Sequence, residues 1–174
     1  MIQDQKAHPY SILKIGSAGT GAKNGCGPFA VYNALYLLSE ENTKPNLTHI
    51  IRDLEEMGAF ILGGRLGTNP QAIIKYLRRM PGYQTDYRYL PKNMDEQIKQ
   101  SSVSILLFIG SIKKVRVHYV TIRHEQGNYL IYNLAPRAIL PYATTSIDAW
   151  VNDTSYIPVM LTSLQTSSHG QINF

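Results

Sequence analysis

Three polar residues in glycine-rich or apolar surroundings have the side chains that could do chemistry together. Cys26 follows a glycine-rich stretch, His118 lies in an alternating apolar segment, and Asn133 ends the next apolar segment. Thiol-based acyl transfer requires a thiol nucleophile, an imidazole base and a group that orients the base. The sequence therefore predicts that Cys26, His118 and Asn133 form a catalytic triad.

Cys26 is the only cysteine of the chain, which excludes an internal disulfide and a thiolate zinc cluster. It lies in the segment Asn24-Gly25-Cys26-Gly27-Pro28, at the expected start of a buried helix. The positive end of that helix is expected to lower the pKa of the thiol, and its free N–H groups could hold an oxyanion. Glycines on both sides would leave the sulfur uncovered. The alternative is an inert cysteine that only packs.

His118 and Asn133 are expected on antiparallel strands joined by a hairpin at Gln126-Gly127-Asn128. A turn centred on Gly127 leaves Asn133 about three positions short of the residue opposite His118, a gap that a bulge or a wider loop would close. His118 shares its strand face, the expected core side, with two apolar residues, Val120 and Ile122. The alternatives are a core histidine held by a hydrogen bond and an asparagine that only starts a turn.

These motifs resemble papain-like cysteine peptidases, in particular small bacterial domains similar to the peptidases that remove double-glycine leader peptides from bacteriocins. The resemblance covers about residues 21–161, and the matching stretches are Asn24–Leu38, Gly67–Leu77, His118–Ile122 and Tyr132–Pro136. It implies a thiol-dependent hydrolase, a peptidase or amidase, that acts on a peptide or acyl-amide through the triad. The superfamily also contains acyltransferases and inactive peptide-binding modules, which remain the alternatives.

One position departs from the pattern of such peptidases. They usually carry a glutamine shortly before the cysteine, and its amide completes the oxyanion hole, whereas this chain has Thr20 at that place. Asn24 has the nearest side-chain amide. We therefore expect Thr20, Asn24, Gly25 and Gly27 to form the oxyanion and substrate-binding part of the site.

The elements that must position these residues begin with helices. Apolar spacing predicts a central buried helix over Pro28–Leu38. Capping residues predict a second helix from about Leu47, with Asn46 or Thr48 as its cap. They predict a third helix in Gly67-Thr68-Asn69-Pro70, with Thr68 or Asn69 as its cap and Pro70 in the first turn. Shorter helices are expected over Asp95–Gln100 and Thr145–Val151.

The second half of the chain changes to the periodicity of strands. The predicted strands are Tyr83–Leu90, Val103–Ile109, Val115–Arg123, Tyr129–Leu134 and Ser155–Leu161. Helices first and antiparallel strands second make the class α+β. The resemblance adds a papain-like arrangement, with Cys26 on the central helix and both His118 and Asn133 on the sheet. The polar tail Thr162–Phe174 is expected to be partly disordered.

Composition and charge restrict the remaining functions. Apolar residues make up 44% of the chain, no apolar run approaches the roughly 20 residues of a membrane span, and residues 1–10 have no signal-sequence pattern. A single cytoplasmic domain over residues 1–174 is therefore expected, without membrane association.

The net charge of +5 is not accompanied by a nucleic-acid-binding motif, and the sequence has no pair of histidines at metal-ligand spacing. Neither a nucleic-acid partner nor a metal or other cofactor is expected, and the oligomeric state stays open.

Overall fold

The computed structural model describes residues 1–40, 43–110, 116–134 and 139–167. Most helical residues of these ranges precede the main sheet in the chain, which confirms the α+β class. The α-helices described are α1 (Gly21–Asn24), α2 (Cys26–Leu38), α3 (Leu47–Glu56), α4 (Pro70–Leu77), α5 (Met94–Lys99) and α6 (Ile147–Thr154). The strands described are β1 (Lys14–Ile15), β2 (Gly19–Thr20), β3 (Tyr83–Tyr89), β4 (Val103–Gly110), β5 (Arg116–Glu125), β6 (Asn128–Tyr132), β7 (Tyr142–Thr144) and β8 (Ile157–Thr166). Short 3-10 helices occupy Tyr10–Ile12 and Ile61–Gly64.

Two helices begin where the capping residues predict. The side chain of Asn46 accepts hydrogen bonds from the N–H groups of Thr48 and His49 at the start of α3. Asn69 accepts one from Gln71 N at the start of α4, with proline in the first turn. These bonds satisfy N–H groups that a helix start leaves unpaired. Of the two predicted caps of each helix, the asparagine is therefore the one that caps it.

The helix that carries Cys26 does not emerge from a loop. A turn of helix, α1, precedes it, and Gly25 between α1 and α2 has helical backbone angles. Gly25 N donates to Gly21 O and Phe29 N donates to Gly25 O, so the hydrogen-bond pattern runs through the junction. α2 therefore begins at Cys26, the residue expected at the helix start, which is two residues before the apolar run that begins at Pro28.

The main sheet of the described residues has the strand order β3-β8-β4-β5-β6-β7, and all of its paired strands are antiparallel. Helices cover both of its faces. We call the two groups of buried residues the first and second cluster. The first cluster includes Cys26, Ala30, Ala34, Ile73, Leu77, Ile105, Leu107 and Tyr119. The second cluster includes Ile98, Leu106, Phe108, Val120, Ile122, Ile131, Trp150 and Val151.

Strand β5, which carries His118, is buried on both faces rather than on the one expected. Val120 and Ile122 belong to the second cluster, whereas Tyr119 is 1% exposed and belongs to the first. Thr121 lies on the same face as Tyr119 and donates a hydrogen bond to Ala30 O in α2. The sheet therefore separates α2 from the second cluster, against which the His118 ring packs through Phe108.

Strand β8 is longer than predicted. It continues past Leu161 and pairs with all of β3, from Tyr89↔Met160 to Tyr83↔Thr166. The expected disorder is therefore wrong for residues 162–166, because backbone pairing holds this polar segment. The predicted strand start at Val115, the proline at position 136 and residues 168–174 lie outside the described ranges. In the described part of the chain, no helix has the length and apolar character to span a membrane.

Candidate active site

Cys26 is the first residue of α2 and is 7% exposed. The backbone N–H groups of Tyr119, Gly27 and Cys26 itself lie beside the sulfur and favour its thiolate form. Burial opposes them more strongly and raises the pKa of the Cys26 thiol. This direction is opposite to the one expected from the helix start, because the first cluster removes the sulfur from water. The resting sulfur is therefore a neutral thiol.

The glycines on either side of Cys26 allow close packing and do not uncover the sulfur. A Cβ atom at Gly27 would lie 2.5 Å from Thr68 Oγ1, and one at Gly25 would lie 2.6 Å from Gly21 O and 2.7 Å from the Phe29 ring. These separations are shorter than van der Waals contact. Any larger residue would push the start of α2 away from its neighbours, so the expectation of an open approach along the glycines is wrong for this structure.

His118 is partly buried and is held through one ring nitrogen. Its ring packs edge-on against Phe108, with 5.7 Å between the ring centroids. Its Nε2 atom lies 2.6 Å from the main-chain oxygen of Asn133. A carbonyl oxygen can only accept, so Nε2 carries the proton and Nδ1 keeps its lone pair. Burial lowers the pKa of His118, although the bond to Asn133 O acts in the opposite direction. The ring is therefore a neutral imidazole with Nδ1 as its basic atom.

Asn133 reaches His118 because the chain leaves the sheet at this residue. The β5–β6 ladder ends at the pair Thr121↔Tyr132, and Asn133 follows with φ 62°, in the left-handed region. Asparagine adopts this conformation more readily than most residues. The turn directs the carbonyl of Asn133 towards the imidazole and closes the gap left by the hairpin register. The two predicted residues are in contact, but through the main chain of Asn133 and not through its amide.

The side-chain amide of Asn133 is bonded instead to Gln5. Its Oδ1 accepts from Gln5 N at 3.2 Å, and its Nδ2 donates to Gln5 Oε1 at 3.3 Å. Gln5 Nε2 in turn donates to Ala22 O in α1 at 3.0 Å. Sequence reasoning missed Gln5, since a polar residue near the N-terminus has no local pattern that predicts a partner 128 residues away.

Cys26 and His118 lie next to the same strand but on different faces of the sheet. Cys26 belongs to the first cluster, and its sulfur lies beside the N–H of Tyr119, the residue after His118. The His118 ring packs on Phe108 of the second cluster. Within the described residues, no hydrogen bond joins the Cys26 sulfur to the imidazole. The structure thus brings the two predicted catalytic residues to the same stretch of β5 without a hydrogen bond between them in the described part of the chain.

The other predicted site residues connect loops. Asn24 Oδ1 accepts from Thr20 N at 3.3 Å, and Asn24 Nδ2 donates to Arg65 O at 3.1 Å. The amide of Asn24 is therefore occupied with neighbouring loops, and Thr20 is exposed. Of the predicted oxyanion donors, the backbone N–H groups of Cys26 and Gly27 are those that lie beside the sulfur.

Two further residues support the site and were not predicted. Asn33 in α2 is fully buried; its Oδ1 accepts from Ile2 N at 2.7 Å and its Nδ2 donates to Ile2 O at 2.8 Å. An amide inside the apolar run of the central helix was a visible signal that a buried polar partner exists. Thr68 O accepts a hydrogen bond from Tyr119 Oη at 2.9 Å and so links the loop before α4 to β5.

Among the described residues, no group of three or more His, Cys, Asp or Glu side chains lies together in a way that could hold a metal ion. Two surface pockets lie beside β3 and α5, and both are lined by Arg88, Gln97 and Gln100. None of the predicted site residues lines either pocket.

Comparisons with known proteins identify the fold. No family model and no curated protein sequence matches the chain. Among solved structures, the chain is similar to the peptidase domain of Streptococcus ComA, a bi-functional ABC transporter involved in a quorum-sensing pathway. The match has a TM-score of 0.55 and 12% sequence identity, and it covers 82% of this chain and 91% of the ComA chain. This similarity confirms the expected resemblance at the level of the fold: the chain has the α+β fold of a papain-like peptidase domain.

Proposed function

We propose that this protein is a thiol-dependent hydrolase that cleaves a peptide or acyl-amide bond. Cys26 is the nucleophile, His118 is the general base, and Asn133 positions His118. The observation that supports this assignment best is the bond between His118 Nε2 and Asn133 O, because it leaves Nδ1 as the basic atom of the ring. The peptidase-like fold favours a peptide as the substrate.

The proposed reaction begins with both groups neutral. His118 Nδ1 takes the proton from the Cys26 thiol as the sulfur attacks the substrate carbonyl carbon, and a carbon–sulfur bond forms. The oxyanion is held by the backbone N–H of Cys26, an interaction whose loss typically costs about 3–4 kcal/mol in the barrier. The carbon–nitrogen bond then breaks, and the leaving amine takes the proton from His118. Water, deprotonated by His118, then attacks the acyl carbon and a carbon–oxygen bond forms. The carbon–sulfur bond breaks and the sulfur takes the proton from His118, which releases the acid product and restores the thiol.

This mechanism requires the imidazole to approach the sulfur. The His118 ring contacts Phe108 in this structure. The Cys26 sulfur lies beside the backbone N–H of Tyr119, the residue that follows His118 in the chain. The proposal therefore includes a shift of the His118 ring towards the sulfur when substrate binds. Catalytic hydrogen bonds are often long or poorly aligned in the free enzyme and tighten only in the substrate complex.

Labelling with an epoxide thiol reagent, measured by mass spectrometry, tests the pair directly. We expect His118→Ala to slow the labelling of Cys26 by about 10²-fold or more, the usual contribution of a general base. The matched control is His124→Ala, because His124 lies on the same strand and packs on Tyr129, away from the proposed pair. Circular dichroism confirms that each variant is folded. Equal labelling of the parent protein and His118→Ala would exclude an activated pair.

A peptide-binding module without activity is the second candidate, and specific observations favour it. Cys26 is largely buried, burial raises its pKa, and its sulfur has no bond to His118 among the described residues. Thr20 stands where such peptidases have glutamine. Peptide binding with labelling that is independent of His118 would support this candidate.

The acyltransferase alternative has a separate test. If the acyl group is transferred to an added amine in preference to water, the protein is an acyltransferase that uses the same three residues.

A further inference from the structure

The N-terminal segment, residues 2–5, is held at both ends by asparagine amides. Asn33 pairs with the backbone N–H and C=O of Ile2, and Ile2 is fully buried. Asn133 pairs with the backbone N–H and the side-chain oxygen of Gln5. One amide belongs to the helix that begins with Cys26, and the other to the residue that holds His118. The segment therefore spans the two halves of the proposed active site.

Gln5 is the point where this segment meets the site. Its backbone N–H and its Oε1 bind the Asn133 amide, and its Nε2 donates to Ala22 O. Ala22 lies about one helical turn before Cys26, and the helical hydrogen bonds continue through that turn. Gln5 thus links the residue beside the base to the helix that carries the nucleophile.

These bonds determine which part of Asn133 faces His118. Asn133 is 3% exposed and has φ 62°, so its backbone conformation needs support from its surroundings. Gln5 satisfies both ends of the Asn133 amide, and the carbonyl is the group that remains for the imidazole. We infer that Gln5 is a positioning residue that holds Asn133 so that its main-chain carbonyl orients His118.

This inference rests on the proposed function, which it deepens, yet it can be tested separately. A purely structural Gln5 would alter stability and leave the protonated nitrogen of His118 unchanged. A positioning Gln5 would alter the tautomer and hydrogen bonding of the ring. Long-range ¹⁵N–¹H NMR of the His118 ring near pH 7.5 reports these properties whether or not the protein hydrolyses anything.

Three variants separate the contributions of Gln5. Gln5→Ala removes both side-chain bonds. Gln5→Glu keeps an oxygen for Asn133 Nδ2 but replaces the donor to Ala22 O by a second oxygen, so it tests that link alone. Gln3→Ala is the control in the same segment, since the hydrogen bonds found among the described residues do not include the Gln3 side chain.

In the parent protein we expect Nε2 to be protonated and Nδ1 unprotonated. Gln5→Ala should give averaged tautomer signals and should slow His118-dependent labelling of Cys26 by about five- to tenfold, the effect of losing one or two hydrogen bonds. Gln5→Glu should fall between Gln5→Ala and the parent, and Gln3→Ala should match the parent.

Parent-like His118 signals in Gln5→Ala would overturn the inference even if the labelling rate supports the hydrolase. Labelling that does not depend on His118 would overturn the proposed function and leave the NMR test of Gln5 valid. If Gln5→Ala does not fold, Gln5→Met, which has a similar size and also removes both side-chain bonds, decides the question: altered His118 signals support positioning, and unchanged signals contradict it.

Discussion

His118 Nε2 and the main-chain oxygen of Asn133 are 2.6 Å apart, although 15 residues separate them in the chain. The contact depends on a two-residue turn, in which Gln126 and Gly127 both have positive φ, and on the left-handed conformation of Asn133. The turn sets the register of β5 and β6, and Asn133 then turns its carbonyl out of the sheet. The orientation of the imidazole is therefore a property of the backbone.

Because His118 is held by the main chain of Asn133, we expect Asn133→Gly to keep more of the His118-dependent labelling of Cys26 than Asn133→Ala. Asn133→Gly and Asn133→Ala both lose the amide bonds to Gln5, but glycine adopts φ 62° freely and alanine does so at a cost of about 1 kcal/mol. We expect Asn133→Gly to retain about fivefold more His118-dependent labelling of Cys26 than Asn133→Ala. Asn128→Ala, at the exposed start of β6, is the control. Equal decreases of the labelling rate in Asn133→Gly and Asn133→Ala would show that the side-chain amide, and not the main-chain carbonyl, orients His118.

The lowered pKa of His118 predicts that stability decreases in acid. In the unfolded chain this histidine gains a proton below about pH 6.5, whereas burial keeps it neutral in the folded protein to lower pH. The unfolded state then binds more protons, so the free energy of unfolding must fall as the pH falls below that value. Urea unfolding between pH 5 and pH 7.5 should show this slope, and His118→Gln should reduce it. An unchanged slope in His118→Gln would contradict the assignment.

The amide of Asn33 should make a large contribution to stability. Its replacement by alanine leaves the buried N–H and C=O of Ile2 without their partner, which should cost about 2–4 kcal/mol. Asn152→Ala, on the exposed side of α6, should change stability by less than about 0.5 kcal/mol. Urea unfolding of both variants measures the difference. If Asn33→Ala lowers the free energy of unfolding no more than Asn152→Ala does, the hydrogen bonds between Asn33 and Ile2 are not needed to hold the N-terminal segment.

Substitution of Gly27 should disrupt the start of α2. The added methyl of Gly27→Ala would meet Thr68 Oγ1 at 2.5 Å, and overpacking of this kind costs roughly 1–3 kcal/mol. Gly58→Ala serves as the comparison, since its methyl enters open space and only its φ of 68° is strained. We expect Gly27→Ala to be the less stable of the two and to label more slowly at Cys26. Parent-like stability of Gly27→Ala would show that α2 and Thr68 separate easily.

Features controlled by neighbouring residues could be predicted from the sequence. Asn46 and Asn69 cap helices through bonds to residues two or three positions away, and alternating apolar residues marked β5. The hairpin turn at Gln126 and Gly127 is equally local, so it predicted that β5 and β6 are neighbours. The predicted strand that contains Asn133 is too long, because β6 ends at Tyr132. Long apolar runs and their order along the chain then predicted the α+β class, which the structure confirms.

The electrostatics and the connections of the site were decided by the tertiary structure. The helix start alone predicts a lowered thiol pKa, but burial in the first cluster raises it. Gln5 meets Asn133 across 128 residues of sequence, and it takes the amide that was expected to orient His118. The exclusion of water from the Cys26 thiol depends on every element that packs against it. The hydrogen bonds between Gln5 and Asn133 depend on the path of the whole chain. Neither property can be obtained from a short stretch of sequence, whereas caps, turns and periodicity can.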